Sequence, residues 1–370
     1  MASGTKKRWP IGVIVWLSLA LLTFIFDQLV RSHSRLAEFY SRHVYGVLRI
    51  PFMYLHRVLP FSLTEFAAVL LILLLIPGLA FWLVRLFRQQ KKGRFLKRSL
   101  SVLVILGSAG YILFMLFHGF NYSRQSLFES LDLPQREYSQ DELFEVTAWL
   151  VGEVNASRQD VAVDEEGFFA WNDGEGTQEV FKRAHRSYDL ISETTDLIHR
   201  HQSRPKPVVL SHWWSYTGIT GMYFPIFVES NINRDISPDE MLFTVQHELA
   251  HAQGFAREDE SNFWGYYAGT RHPDADYRYS AWLSTFVYFN NASFGADRDR
   301  WSLLYDTLDE GVKQDLGRRR QYWDQFKGPV REVSSQVNDT FLKVNRVPDG
   351  TKSYGRMMDL VMAEYYSNEH

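Results

Sequence analysis

Gln246-His247-Glu248-Leu249-Ala250-His251 is the stretch on which the reading of this chain turns. His247 and His251 stand four apart, which places both imidazoles on one face of a helix. Two imidazoles so placed can bind one ion. Glu248, next to the first, then lies beside the open side of that ion. A carboxylate there can take a proton from an ion-activated water and hand it to a leaving group.

The flanks agree with a helix. Ser237-Pro238-Asp239-Glu240 reads as a start, with Ser at the cap, Pro in the first turn and Glu three after the cap. Met241, Leu242, Val245, Leu249 and Ala252 give a mostly apolar stripe, and Gly254 is a natural stop. The pattern is the H-E-x-x-H signature of zinc hydrolases. Two histidines leave such a site one protein ligand short. Downstream, Arg257-Glu258-Asp259-Glu260-Ser261-Asn262 can open a second helix, with Glu258 and Asn262 on one face. This run resembles the E-x-x-A-[DN] element of gluzincin peptidases. That resemblance implies Glu258 as the third ligand and Asn262 as a brace for a histidine. Ser261 replaces the usual Ala, and Glu260 stays a rival to Glu258. Arg257 stands six after His251, where the metzincin pattern needs a third His.

The wider stretch, with Gly218-Ile219 through Asn233 before the motif and Ser353-Tyr354-Gly355-Arg356 after it, resembles a bacterial membrane-protein family of unknown function (domain of unknown function 3810). The likeness implies a membrane-anchored, zinc-dependent peptidase-like protein. It implies no substrate.

Composition supports an anchor. The chain has 370 residues, no cysteine and a net charge of −3. Residues 1–120 hold 15 Lys/Arg against 3 Asp/Glu, and the remainder 25 against 40. The basic part is also the apolar part, which points to a membrane and away from nucleic acid. Without cysteine there are no disulfides and no thiolate ligands.

Three spans are expected, at about 11–30, 64–84 and 99–120. Lys6, Lys7 and Arg8 precede the first, which continues through Phe24, Ile25 and Phe26 without a small-residue cleavage site, so it reads as uncleaved. Pro77-Gly78 is placed to kink the second, and Gly107 and Gly110 to allow close helix approach in the third. Residues 31–61, with Arg31, Arg35, Arg42, Arg49 and Arg57 among aromatics, read either as an amphipathic surface segment or as a plain loop. The basic loop at 85–98 places itself and the N-terminus in the cytoplasm, and residues after about 121 outside a bacterial cell membrane.

Residues 121–370 read as one domain. The expected class is mainly α: three transmembrane helices, then a mainly helical α+β, zincin-like (gluzincin) domain with a small sheet. Ser139-Gln140-Asp141-Glu142 is a capping box opening a helix with Leu143, Val146, Leu150 and Val154 inward. Gly167 to Gly176 reads as a loop and Thr177 to His201 as a single helix, with His199 and His201 as dipole partners at its end. Val208-Val209-Leu210 reads as a short strand, and Gly218 to Val228 as strands or a hairpin. The family resemblance makes the latter a ledge for an extended substrate. Helices are expected from Tyr277 to Phe289, over most of Trp301 to Val344, and from Tyr354 to Tyr366; Arg318, Arg319 and Arg320 read as a solvated face.

The expected activity is zinc-dependent peptide hydrolysis, with His247, His251 and Glu258 as ligands and Glu248 as general base. Tyr277, Tyr279, Tyr354, His272 and Arg356 are the candidates for steadying the oxyanion. The expected partners are a peptide or protein substrate and the lipid bilayer; oligomeric state stays open. The rival readings are a membrane-anchored sensor that keeps the fold without cleaving, and a zinc hydrolase of cell-wall amides. Asp239, Glu240, Arg257, Glu258, Asp259 and Glu260 flank the motif with too much charge for a site inside lipid.

Overall fold

Three helices are long and apolar enough to cross a membrane: α1 (Ile11–Ser32), α2 (Leu63–Arg88) and α3 (Lys92–Phe117). Each runs at least 22 residues, about 33 Å at 1.5 Å per residue, enough for the hydrocarbon core. The computed structural model describes residues 9–171, 176–200 and 203–368. Lys6, Lys7, Arg8 and His201, together with part of the expected loop at 167–176, lie outside the described residues. α1 packs along α3. Nothing lies within 4 Å of a Cβ built on Gly107 or Gly110, so these two glycines do not serve a close helix approach among the described residues.

The segment between α1 and α2 is neither a surface helix nor a plain loop. It folds as short helices, Ser34–Phe39, Tyr40–Tyr45, Gly46–Leu48 and Ile50–Val58, that pack under the rest of the chain. Its charges explain why. Glu38 takes two hydrogen bonds from Arg124, each of 2.9 Å, and Arg42 pairs with Glu38 and Asp196. Tyr45 Oη donates to the Ala252 carbonyl at 2.9 Å, and Arg49 donates to the same oxygen. These groups satisfy a helix C-terminus that would otherwise bury bare carbonyls.

The remainder is mainly helical with a small sheet. α4 (Gln140–Arg158) opens on the expected Ser139–Glu142 capping box, with Val146, Leu150 and Val154 buried and Leu143 half-buried. The expected helix from 177 to 201 breaks instead into Thr177–Arg183 and Arg186–Ile191, followed by turns. At the break the Gln246 side chain donates to the Ala184 carbonyl at 2.9 Å, partnering an oxygen that a continuing helix would use. The His199 ring lies over Gly46 and beside Tyr45, not at the end of a helix of its own.

Three strands form one sheet in the order β1-β3-β2: β1 (Lys206–Val208), β2 (Gly221–Phe224) and β3 (Glu229–Asn233). β3 is central, parallel to β1 and antiparallel to β2. Of the stretch from Gly218 to Val228 expected as strands or a hairpin, Gly221–Phe224 is strand; its hairpin partner β3 lies beyond that stretch, joined by a 3-10 turn and Val228 in the left-handed region. β3 also binds the anchor: Glu229 accepts from the Leu63 and Thr64 amides at 3.0 and 2.7 Å, at the N-terminus of α2. A carboxylate there answers both the orphan N–H groups and the positive end of the helix dipole.

One apolar core joins α4 to α5 (Pro238–Ala252), α6 (Glu258–Thr270), α7 (Ala275–Ala296) and α9 (Met357–Ser367). Phe286 and Phe289 of α7 are buried as expected, and Trp282 meets Trp149 edge-on at 5.2 Å. α8 (Pro329–Val344) lies outside this core, tied to the 3-10 turn Gly350–Arg356 that precedes α9. Of the arginine triplet, Arg319 is buried, paired with Asp239 and bonded to Ser284 Oγ at 3.0 Å, which corrects the reading of a wholly solvated face.

Candidate metal centre

α5 carries the motif, and its two ends are built differently. Ser237 occupies the cap position before Pro238, but its hydroxyl has no partner and the expected box with Glu240 does not form. Glu240 instead accepts from Trp323 Nε1 at 2.8 Å. The C-terminal end is a full Schellman turn: the Gly254 amide donates to His251 O at 3.0 Å and the Phe255 amide to Ala250 O at 3.2 Å, with Gly254 at φ +92°.

That turn sets the site. It delivers the Phe255 carbonyl to His251 Nδ1 at 2.7 Å, and Ser261 Oγ lies 3.1 Å from the same nitrogen. A carbonyl can only accept, so Nδ1 carries a proton and Nε2 is the nitrogen turned toward the cavity. The chain then reverses into α6, whose first residue is Glu258. Glu258 Oε2 stands 3.3 Å from His247 Nε2 and 3.4 Å from His251 Nε2, and the two nitrogens stand 3.1 Å apart. Donors about 2.0–2.1 Å from one tetrahedral ion lie about 3.3–3.4 Å from each other. The trio His247, His251 and Glu258 therefore has the spacing of a three-ligand site.

Glu260 does not join it. Its carboxylate accepts from the Leu127 amide at 3.2 Å, lies 3.6 Å from Arg257, and is pushed up to about 7 by burial. Asn262 does not brace a histidine either: it donates to Tyr288 Oη at 3.1 Å and Tyr354 O at 3.2 Å. The brace is Ser261, the residue that departs from the expected pattern.

The electrostatics of the trio are strongly opposed. Burial alone would depress the His251 imidazole; Glu258 outweighs it and holds His251 at about 9. Burial would likewise raise Glu258, but His251 and His247 keep it below the usual carboxylate range. Glu248 is pushed up by burial, against the opposing pull of both histidines. Among the described residues, its Oε2 is buried without a hydrogen-bond partner, as is His247 Nδ1.

A cavity of about 860 Å³ opens over these residues. β2, the edge strand, forms one wall, and Arg331, Asn338 and Phe341 of α8 also line it. β2 comes very close to α5: a Cβ on Gly221 would sit 2.6 Å from both Glu248 Oε1 and Thr244 Cγ2. Of the five oxyanion candidates, Tyr354 lines the cavity. The others have partners elsewhere: Tyr277 donates to Val180 O at 3.1 Å, Tyr279 to Asp315 at 2.6 Å, His272 lies 3.1 Å from Arg183 O, and Arg356 pairs with Asp349 at 3.0 Å. Sequence reasoning missed Phe114, His118 and Tyr122, which line the same cavity from the end of α3. Their signal was the polar-aromatic run where an apolar span stops.

No curated protein and no solved structure matches this chain. A family model described as "Protein of unknown function (DUF3810)" matches residues 40–362, most of the chain, and the chain belongs to that family.

Proposed function

We propose that this protein is a membrane-anchored zinc peptidase of gluzincin type. The observation that carries the reading is the mutual spacing of His247, His251 and Glu258, with Glu248 against the same cavity. Two imidazoles and a carboxylate are a donor set that suits zinc. When bound, zinc would polarise the scissile carbonyl and make water a stronger nucleophile near neutral pH. Glu248 takes a proton from the attacking water and delivers it to the departing amine. Its unpartnered Oε2 and raised pKa suit a group that both accepts and returns a proton. β2 is an edge strand on the cavity wall, where an extended peptide would add as a further strand. Tyr354, which lines the cavity, is the proposed hydroxyl donor to the substrate's carbonyl oxygen. The basic cluster from Arg85 to Arg98, at the facing ends of α2 and α3, supports a site on the extracytoplasmic side by the positive-inside rule.

The test is Glu248→Gln in full-length, zinc-loaded protein presented with a mixed peptide library. General-base loss is expected to lower turnover by about 10²–10⁴-fold with zinc content unchanged. Equal turnover by the variant would remove the mechanism.

A further inference from the structure

α8 carries an apolar stripe that stays largely exposed among the described residues. Val330, Val333, Val337, Phe341 and Val344 recur at spacings of three and four and are 43–75 % exposed. Such spacing draws them along one face of the helix. Glu332, Gln336, Asp339 and Lys343 occupy the opposite face, and buried Leu342 faces the protein. The helix thus has a lipid-like side, a water side and a packed side.

The C-terminal end of α8 fixes its level. Phe341 meets Phe114 of α3 edge-on at 6.3 Å. Arg346, just past the helix, bonds to Asp27 of α1 and to Ser123 Oγ. Asp27 and Phe114 lie within the spans, with exposed Ile25, Leu29 and Leu113 beside them. α8 therefore joins the spans inside their apolar length. Val337 and Phe341 also border the cavity beside Phe114, and the exposed apolar area of the stripe is of a kind that requires a cover.

We propose that α8 is an interfacial membrane helix, with Val330, Val333, Val337, Phe341 and Val344 seated among the lipids of the leaflet at that end of α1 and α3. Amphipathic helices with a continuous apolar face bind this way, buried about 5–10 Å into the headgroup boundary. The inference does not depend on the site being catalytic. It follows that the candidate cavity, which α8 helps to line, opens at the bilayer surface.

The chain has no cysteine, so single cysteines can be placed freely. Val333→Cys, Val337→Cys and Gln336→Cys would each be labelled with bimane in full-length protein in lipid nanodiscs. Labels at 333 and 337 are expected to lose fluorescence to brominated phosphatidylcholine and to be shielded from iodide in the buffer. The label at 336 is expected to behave oppositely. Iodide quenching at 333 and 337 equal to that at 336 would overturn the proposal. Shielding of 333 and 337 from both quenchers would overturn it too, since that result means a protein cover.

Discussion

His251 shows how much one ring nitrogen depends on its neighbours. Phe255 O and Ser261 Oγ both address Nδ1, and together they aim Nε2 at His247 and Glu258. Ser261→Ala removes one of two partners, so zinc affinity is expected to fall by about tenfold, the low end for such braces. A chelator competition titration reads it, and unchanged affinity would assign the orientation to Phe255 O alone. Gly221→Ala acts on the other wall. Its Cβ would collide with the Glu248 carboxylate, so kcat is expected to drop while zinc content holds. Steady-state kinetics with metal analysis separates the two effects. That His247, Glu248 and His251 share one helix was legible from spacing alone. The choice of Glu258 over Glu260 needed the helix start to be placed to the residue, and Ser261 needed the Phe255 carbonyl in position. His118 and Tyr122 were hidden because a span boundary drew attention to lipid.

Local signals at helix ends were read correctly where the partners are near in sequence. Gly254 ends α5 as expected, in a conformation costly to any side chain. Gly254→Ala is expected to cost about 1–2 kcal/mol from the backbone, and more because Ser41 Oγ lies 2.8 Å from the added Cβ. Thermal unfolding measures it, and an unchanged transition would show that the turn tolerates another geometry. The α4 capping box makes a pH-dependent case. The Arg136 hydrogen bond, then the Ser139 amide, hold Glu142 down at about 2, from an ordinary 4.5. A depressed carboxylate adds stability that is fully present above its unfolded pKa and is lost as pH falls through the folded one. The unfolding-temperature gap between wild type and Glu142→Gln is therefore expected to close between about pH 5 and pH 2; a gap that widened would reverse the assignment. Signals failed where distant partners intervene. Trp323 took Glu240 from the Ser237 box, and Gln246 partners the Ala184 carbonyl at the helix break. Neither competitor is visible in a local window.

The anchor and the rest of the chain are one assembly. Glu229 caps α2, Arg124 binds Glu38, and Arg346 binds Asp27. The three spans were plain in the sequence because apolar length alone marks them. The segment at 31–61 was not, because its arginines serve carbonyls and carboxylates far along the chain. With Phe114 and Phe341 lining the cavity, a polypeptide held in the bilayer by its own span is expected to be cut faster than the same sequence free in solution. Equal rates in nanodiscs would count against a membrane-proximal substrate. The most direct test of the whole account is zinc-edge X-ray absorption on the purified full-length protein. The expected spectrum shows one ion per chain with two imidazoles and a carboxylate oxygen at about 2.0–2.2 Å. A protein that retains no zinc, or a spectrum without imidazole scattering, would contradict it.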